Sequence, residues 1–131
     1  MIGADSNILL RLLLKDDAKQ AERVRHLLDH ARAANEVVLV SPIALCETVW
    51  VLRSGYGKSK AELVESLTLL LETAPFQMER EDLVRTALRA YRTGTGDFAD
   101  YLIGETGTAL GCRYTVTFDK ALQKAPGFSS L

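Results

Sequence analysis

The chain has 131 residues, enough for one substantial hydrophobic core and too few for two, so we expect a single domain over residues 1–131. Its hydrophobic content of 47% and charged content of 25% are those of an ordinary globular protein. Lys and Arg number 16 and Asp and Glu number 17, for a net charge of −1. This balance excludes attachment to nucleic acid or membrane through bulk charge alone.

The cysteine content and the apolar runs predict the compartment. Cys46 and Cys112 are far apart and make no metal-ligand pattern, so we expect buried free thiols in a reducing cytoplasm. The run ILLRLLL after Asp5 is too short for a signal peptide and is interrupted by Arg11. No stretch approaches the roughly 20 apolar residues of a membrane span. We therefore expect a cytoplasmic protein with no membrane segment.

The first part of the chain alternates strand and helix patterns. MIGADSN predicts a short strand ending at Asp5, with Ser6 or Asn7 as the cap of a helix over ILLRLLL. Apolar residues at helical spacing predict a longer helix over 17–34. EVVLVS, at 36–41, is a continuous apolar run typical of a strand covered on both faces.

The same alternation continues through the middle of the chain. Pro42 suits the first turn of a helix that runs to the glycines of SGYG. SKAELVESLTLLLET is a second helix, with Ser59 as its cap and Glu62 three residues later. FQME predicts a short strand, and REDLVRTALRAYRTG predicts a helix ended by Gly94.

The last predicted elements are a helix over 97–110, closed by Gly111, and the strand RYTVTFD, which ends at Asp119. Strands that alternate with helices predict an α/β fold with a mostly parallel sheet and helices on both faces. Along the helix, we expect one apolar face toward the core, formed by Phe98, Leu102, Ile103, Ala109 and Leu110. The opposite face would leave room for a metal and a substrate, and consists of Asp97, Asp100, Gly104 and Gly107.

Acidic residues recur where such a fold would gather them. Asp5 and Asp119 end strands, Glu47 lies in the first turns of a helix that follows a strand, and Asp97 and Asp100 open another helix. In a parallel sheet, strand ends and the following helix starts share one edge, where ligands bind. We therefore expect the acids to line one cleft, where Mg²⁺ or Mn²⁺ would neutralise them. Helix capping and the helix dipole are the alternative explanation for the aspartates.

Four segments together resemble the PIN-domain ribonucleases, with the VapC toxins of bacterial type II toxin–antitoxin systems as the best match. They occur in the family's order and at typical spacing, and they read MIGADSNILLRLLLKDD, ALCETVWVLR, DFADYLIGETGTALG and TVTFDKAL. The resemblance implies a PIN-like three-layer α/β/α fold whose central sheet has four to five strands. It also implies hydrolysis of RNA phosphodiester bonds with Mg²⁺ or Mn²⁺.

The resemblance assigns candidate site residues one by one. The family's four catalytic, metal-binding acids fall on Asp5, Glu47, Asp100 and Asp119. Asp97 matches the extra acid of an Asp-Phe-Ala-Asp variant and is a further candidate ligand.

Other positions depart from the family pattern or accompany the acids. Ser6 replaces the usual threonine but keeps the hydroxyl, and Thr117 matches a hydroxyl residue two positions before the last acid. We expect both beside the metal ligands. Tyr101 and Gly104 replace the commoner alanines, which alters the cleft wall and leaves the acids intact.

The resemblance also implies partners: a VapB-like antitoxin, an RNA substrate such as tRNA or rRNA, and a second copy in a homodimer. Arg53, Lys58 and Lys60 cluster in RSGYGKSK, which is either an ordinary solvated loop or a rim that contacts RNA. The toxin would inhibit translation and growth. The alternative is a non-catalytic PIN-like module that binds RNA or protein, which would usually have lost one or more of the acids.

Overall fold

The computed structural model describes residues 1–131, which form two compact units, Met1–Glu79 and Arg80–Leu131. The first unit contains β1 (Ile2–Ala4), α1 (Ser6–Leu14), α2 (Ala18–Ala33), β2 (Val38–Val40), α3 (Pro42–Tyr56), α4 (Lys60–Glu72) and β3 (Phe76–Met78). The second contains α5 (Glu81–Thr93), α6 (Phe98–Ala109), β4 (Thr115–Thr117) and β5 (Phe128–Ser130). None of the helices has the length and apolar character that crossing a membrane requires.

All strand pairs are parallel, which confirms the predicted α/β class. In the first unit the strand order is β1-β2-β3, and Ala4 pairs with Val40, which in turn pairs with Met78. In the second unit β4 pairs with β5, with Thr115 opposite Phe128. The sequence did not predict β5, because its three residues carry no run of apolar or β-branched side chains.

Several helix ends form where the sequence places them. Pro42 occupies the first turn of α3, and that helix ends at Gly57, whose φ of 62° is left-handed and favours glycine. At the start of α4, the Ser59 hydroxyl accepts a hydrogen bond from the Glu62 N–H at 3.2 Å. The Glu62 carboxylate accepts one from the Ser59 N–H at 3.1 Å, which completes the predicted capping box.

The cap of α1 is not the Ser6 or Asn7 first predicted, and it agrees with the capping explanation raised for the aspartates. Its N-cap is Asp5, whose Oδ1 accepts hydrogen bonds from the N–H groups of Asn7 at 3.1 Å and Ile8 at 3.3 Å. Ser6 and Asn7 are therefore not the cap. A carboxylate accepts such bonds at least as well as a hydroxyl or an amide. Ser6 is instead turned inward and only 6% exposed.

The hydrophobic core of the first unit surrounds β2. Val38 and Val40 are fully buried, and Val24, Leu28 and Ala31 of α2 form one cluster with Val38. In the second unit the ring of Tyr91, on α5, meets that of Phe98, on α6, edge to face with centroids 6.1 Å apart. These contacts fix the elements whose ends carry the acids.

The prediction for the two faces of α6 is partly wrong. Phe98 and Leu102 are buried, but Ile103 is 59% exposed and Leu110 is 78% exposed, as is much of Ala109. The helix has a narrower buried stripe than its composition suggests, because only a two-stranded ladder and α5 cover it within the unit.

The prediction that the glycines of α6 leave room for a metal and a substrate is also wrong. Gly104 is buried, and a Cβ built there would lie 2.7 Å from Cζ of Phe128. A Cβ at Gly107 would lie 3.1 Å from the Thr115 hydroxyl. The small residues therefore allow α6 to approach the β4–β5 ladder closely.

Candidate functional site

Two of the candidate acids belong to the first unit and lie at one edge of its sheet. Because Ala4 pairs with Val40, the residues that follow these strands emerge side by side. Asp5 follows β1, while Ser41 follows β2 and caps the helix α3, on which Glu47 lies. The side chain of Ser6 joins them: its hydroxyl donates a 2.9 Å hydrogen bond to Oε1 of Glu47.

A cavity of about 470 Å³ opens at this edge. The polar side chains that line it are Asp5, Ser6, Asn7, Ser41 and Glu47. Asp5 and Glu47 each keep one carboxylate oxygen that makes no hydrogen bond within the protein, since their bonds use Oδ1 of Asp5 and Oε1 of Glu47. The first unit therefore offers two oxygen donors that are held in place and still free to bind a ligand.

In the second unit Asp97 and Asp100 open α6. The N–H of Asp97 donates to Oδ2 of Asp100 at 2.9 Å, the backbone half of a capping box. The capping explanation raised from the sequence thus has structural support. The capping bond uses Oδ2 of Asp100 and not Oδ1, so capping and metal binding do not compete for the same oxygen.

Asp119 is held by the turn that follows β4. Its N–H donates to the hydroxyl of Thr117 at 3.0 Å, and its Oδ1 accepts from the N–H of Ala121 at 2.9 Å. Thr117 therefore positions the backbone of Asp119, the candidate metal ligand two residues later. The carboxylate is exposed.

The donor set suits a hard divalent cation, since every candidate supplies carboxylate oxygen. Neither unit by itself gathers three acidic, histidine or cysteine side chains that could hold a metal ion. The assignment of Asp5, Glu47, Asp97, Asp100 and Asp119 to one metal centre therefore remains a prediction.

Comparison with known proteins decides the family. The model of the PIN domain family matches residues 3–127. This chain belongs to the PIN-domain family. A curated relative described as VapC ribonuclease, from Aquifex aeolicus (strain VF5), is 24% identical over 127 residues, which cover 97% of this chain and 93% of the relative. No solved structure matches the chain significantly. The resemblance inferred from the four segments is confirmed.

The hydroxyl of Tyr101 is a feature of this PIN domain that the sequence did not reveal. It accepts a hydrogen bond from the N–H of Gly96 at 3.0 Å and lies against Gly94, where a Cβ would collide with it. The phenol thus holds the turn that leads into Asp97. The sequence shows a tyrosine where the family commonly has alanine. It does not show that the ring packs against Gly94 and Gly96, because these glycines lie several positions earlier in the chain.

The basic segment RSGYGKSK, predicted as a loop, is mostly helical, since residues 53–56 end α3 and Lys60 begins α4. It is tied to the rest of the first unit. The Tyr56 hydroxyl donates to Oδ2 of Asp16 at 3.1 Å, and Nζ of Lys58 lies 3.6 Å from Oε2 of Glu62. Arg53 and Lys60 flank these residues. An RNA-contacting role for Arg53, Lys58 and Lys60 stays a prediction.

The cysteines differ from each other in exposure. Both are free, but Cys112 is exposed, so the prediction that both are buried is wrong for this residue, which follows the exposed end of α6. Cys46 is half-buried beside Glu47, and burial raises the pKa of its thiol. A neutral thiol adds no negative charge next to the acidic cavity.

Proposed function

We propose that this PIN domain is the toxin of a type II toxin–antitoxin system. It hydrolyses RNA phosphodiester bonds in the cytoplasm with Mg²⁺ or Mn²⁺, and thereby inhibits translation and growth. The observation that carries the proposal is the cavity at the end of β1, where Ser6 links Asp5 to Glu47. Family membership and the similarity to a VapC ribonuclease support it. Residues 1–131 act as one domain.

The roles proposed for the residues rest on the family resemblance, and their contacts support them. A bound Mg²⁺ or Mn²⁺ supplies a water of lowered pKa and stabilises negative charge on the phosphate oxygens. Asp5, Glu47, Asp100 and Asp119 would hold the ion; the Asp97 carboxylate would serve a second ion, while its backbone N–H orients Asp100.

The supporting contacts reduce the motion of these carboxylates. Two N–H groups of α1 hold Oδ1 of Asp5, and the Ser6 hydroxyl holds Oε1 of Glu47. Thr117 fixes the backbone of Asp119. Groups held in place before the substrate arrives need little reorganisation during the reaction.

The substrate and the inhibitor complement the acidic centre in different ways. A structured RNA such as tRNA or rRNA is the substrate, and Arg53, Lys58 and Lys60 contact its backbone. A VapB-like antitoxin inhibits by placing an arginine or lysine against the carboxylates, because an arginine–carboxylate pair is short and bidentate.

We also propose a homodimer formed through α3. Ile43 is 79% exposed and Trp50 is 63% exposed, and their spacing of seven residues places them on one face of the helix. Large exposed apolar side chains on one face are typical of an interface. Replacement of Trp50 by serine should convert the dimer to a monomer in light-scattering measurements after gel filtration.

The nuclease proposal is tested with the purified chain, tRNA, rRNA and synthetic single-stranded RNA. We expect cleavage with Mg²⁺ or Mn²⁺, none with EDTA, and no rescue by Ca²⁺, whose looser coordination positions water poorly. Asp5→Asn should abolish cleavage. Its matched control is Asp17→Asn, because Asp17 caps α2 as Asp5 caps α1 and asparagine preserves a cap. Full activity of Asp5→Asn or in EDTA would refute the mechanism, and RNA binding without cleavage would favour the non-catalytic module.

A further inference from the structure

A second cavity of the first unit, of about 430 Å³, lies between α1 and α2. Its lining residues are Asp5, Asn7, Ile8, Arg11, Gln20, Arg23, Val24 and Leu27. Asp5 and Asn7 also line the acidic cavity, so the two cavities adjoin at the first candidate ligand. Nothing in the proposed reaction uses this second space.

The cavity combines an apolar floor with polar groups that have no partner. Ile8, Val24 and Leu27 supply the floor. The side-chain amides of Asn7 and Gln20 and the guanidinium of Arg23 make no hydrogen bond or ion pair. Arg11, the other cation that lines the cavity, does have an ion-pair partner.

Arg11 is already neutralised. Its Nη1 forms a short ion pair with Oδ1 of Asp16 at 2.6 Å, and Asp16 also accepts from Tyr56. A neighbouring groove on α2 shows the same pairing, since Arg25 pairs with Glu22 and Arg32 with Asp29. Of the two cations that line this cavity, Arg23 is thus the one whose charge is available to an anionic ligand.

We infer that this cavity binds one unpaired nucleotide of the RNA substrate, adjacent to the bond that is cleaved. The inference rests on the proposed function and names a specificity site for it. The base lies on the floor of Ile8, Val24 and Leu27, the amides of Asn7 and Gln20 meet its polar edge, and Arg23 binds a phosphate. Unpaired bases are recognised in this way, through an apolar surface and side-chain hydrogen bonds to the base edges.

The observations favour a nucleotide over a protein segment. The volume falls in the range of roughly 300–1,000 Å³ that small ligands occupy. Amides present both a donor and an acceptor, which a base edge uses and an apolar helix face does not. Adjacency to Asp5 places the occupant within one nucleotide of the reacting phosphate, so a substrate that reaches Asp5 also meets this cavity.

The first test removes the charge of Arg23 and keeps most of its length. Arg23→Gln should raise KM for a single-stranded RNA about tenfold with little change in kcat, and reduce the slope of log affinity against log salt by about one. The matched control is Arg25→Gln, on the same helix, exposed, and bonded to Glu22 outside the cavity. It should match the wild-type chain in both quantities.

The second test concerns base preference. Four oligonucleotides that differ in the base next to the cleaved bond are compared by kcat/KM. Gln20→Ala should reduce the ratio between the highest and lowest kcat/KM by about tenfold, because a base contact carries discrimination.

A wild-type chain that cleaves no RNA would refute the proposed function by itself. If it cleaves, wild-type behaviour of both variants refutes the nucleotide site. Loss of antitoxin binding in Arg23→Gln with unchanged RNA kinetics would also refute it, and would assign the cavity to protein.

Discussion

The hydroxyl of Ser6 donates a 2.9 Å hydrogen bond to Oε1 of Glu47, a residue 41 positions later in the chain. Ser6 is buried, so water does not compete strongly for this bond. The bond restricts the rotamer of Glu47 and leaves Oε2 free toward the cavity shared with Asp5. Serine at this position therefore acts on the site through Glu47.

Ser6→Ala should lower kcat about tenfold, the usual lower bound for losing a partner that orients a metal ligand. It should also reduce the free energy of unfolding by about 1 kcal/mol through the lost hydrogen bond. Ser6→Thr keeps the hydroxyl and should retain most of the activity. Equal losses of kcat in both variants, measured at saturating RNA with thermal unfolding in parallel, would show that packing rather than the hydroxyl matters.

Asp100→Asn separates capping from catalysis. The asparagine side-chain oxygen still accepts the N–H of Asp97, so the melting temperature should change little. Activity should fall on the order of 100-fold, because the proposed metal ion loses an anionic oxygen ligand. Asp97→Asn keeps the backbone N–H that orients Asp100, so activity should stay near the wild-type value if that is the only role of Asp97. Comparable losses in the two variants would make Asp97 a direct ligand.

The order and type of most elements were predictable because their signals are local. Pro42, the Ser59–Glu62 pair and Gly94 mark helix ends through backbone chemistry that acts within one turn. The faces of α6 were not predictable, since which residues are covered depends on β5, a strand far along the chain with almost no sequence signal.

The sequence selected the candidate acids, whose joint role stays a prediction, while their supporting contacts were only partly predictable. Strand-end placement and the family resemblance both selected Asp5 and Asp119, and the Thr117 contact with Asp119 spans two residues. The link from Ser6 to Glu47 and the contact of Tyr101 with Gly94 require the fold, because they depend on where two elements lie in space.

The capping box of α4 predicts a pH dependence of stability. The hydrogen bond from the Ser59 N–H, followed by that from its hydroxyl, lowers the pKa of Glu62 below its ordinary value of 4.5. Because the folded-state pKa is the lower one, the stabilising contribution is complete above pH 4.5 and is lost as the pH falls through the folded value.

Glu62→Gln keeps an acceptor and removes this charge. The difference in melting temperature between wild type and variant should therefore shrink as the pH falls from 7 toward 3. Glu65→Gln, an exposed change on the same helix at a residue without a hydrogen bond, should show no such trend. A difference for Glu62→Gln that stays constant across this range would assign the effect to side-chain shape.

Gly104→Ala tests whether the glycine of α6 serves packing or substrate access. Alanine is better than glycine in a helix by about 1 kcal/mol, but its methyl group would collide with the ring of Phe128, and overpacking costs about 1–3 kcal/mol. We expect a net loss of about 1 kcal/mol in denaturant unfolding, relieved in the double variant with Phe128→Leu.

Gly55→Ala is the control, since its nearest neighbour, Val51, is 3.9 Å away and only the helical gain should remain. If packing is the role, kcat/KM of Gly104→Ala should stay near the wild-type value at a temperature where the protein is folded. A large fall in kcat/KM without loss of stability would instead restore Gly104 to the substrate cleft.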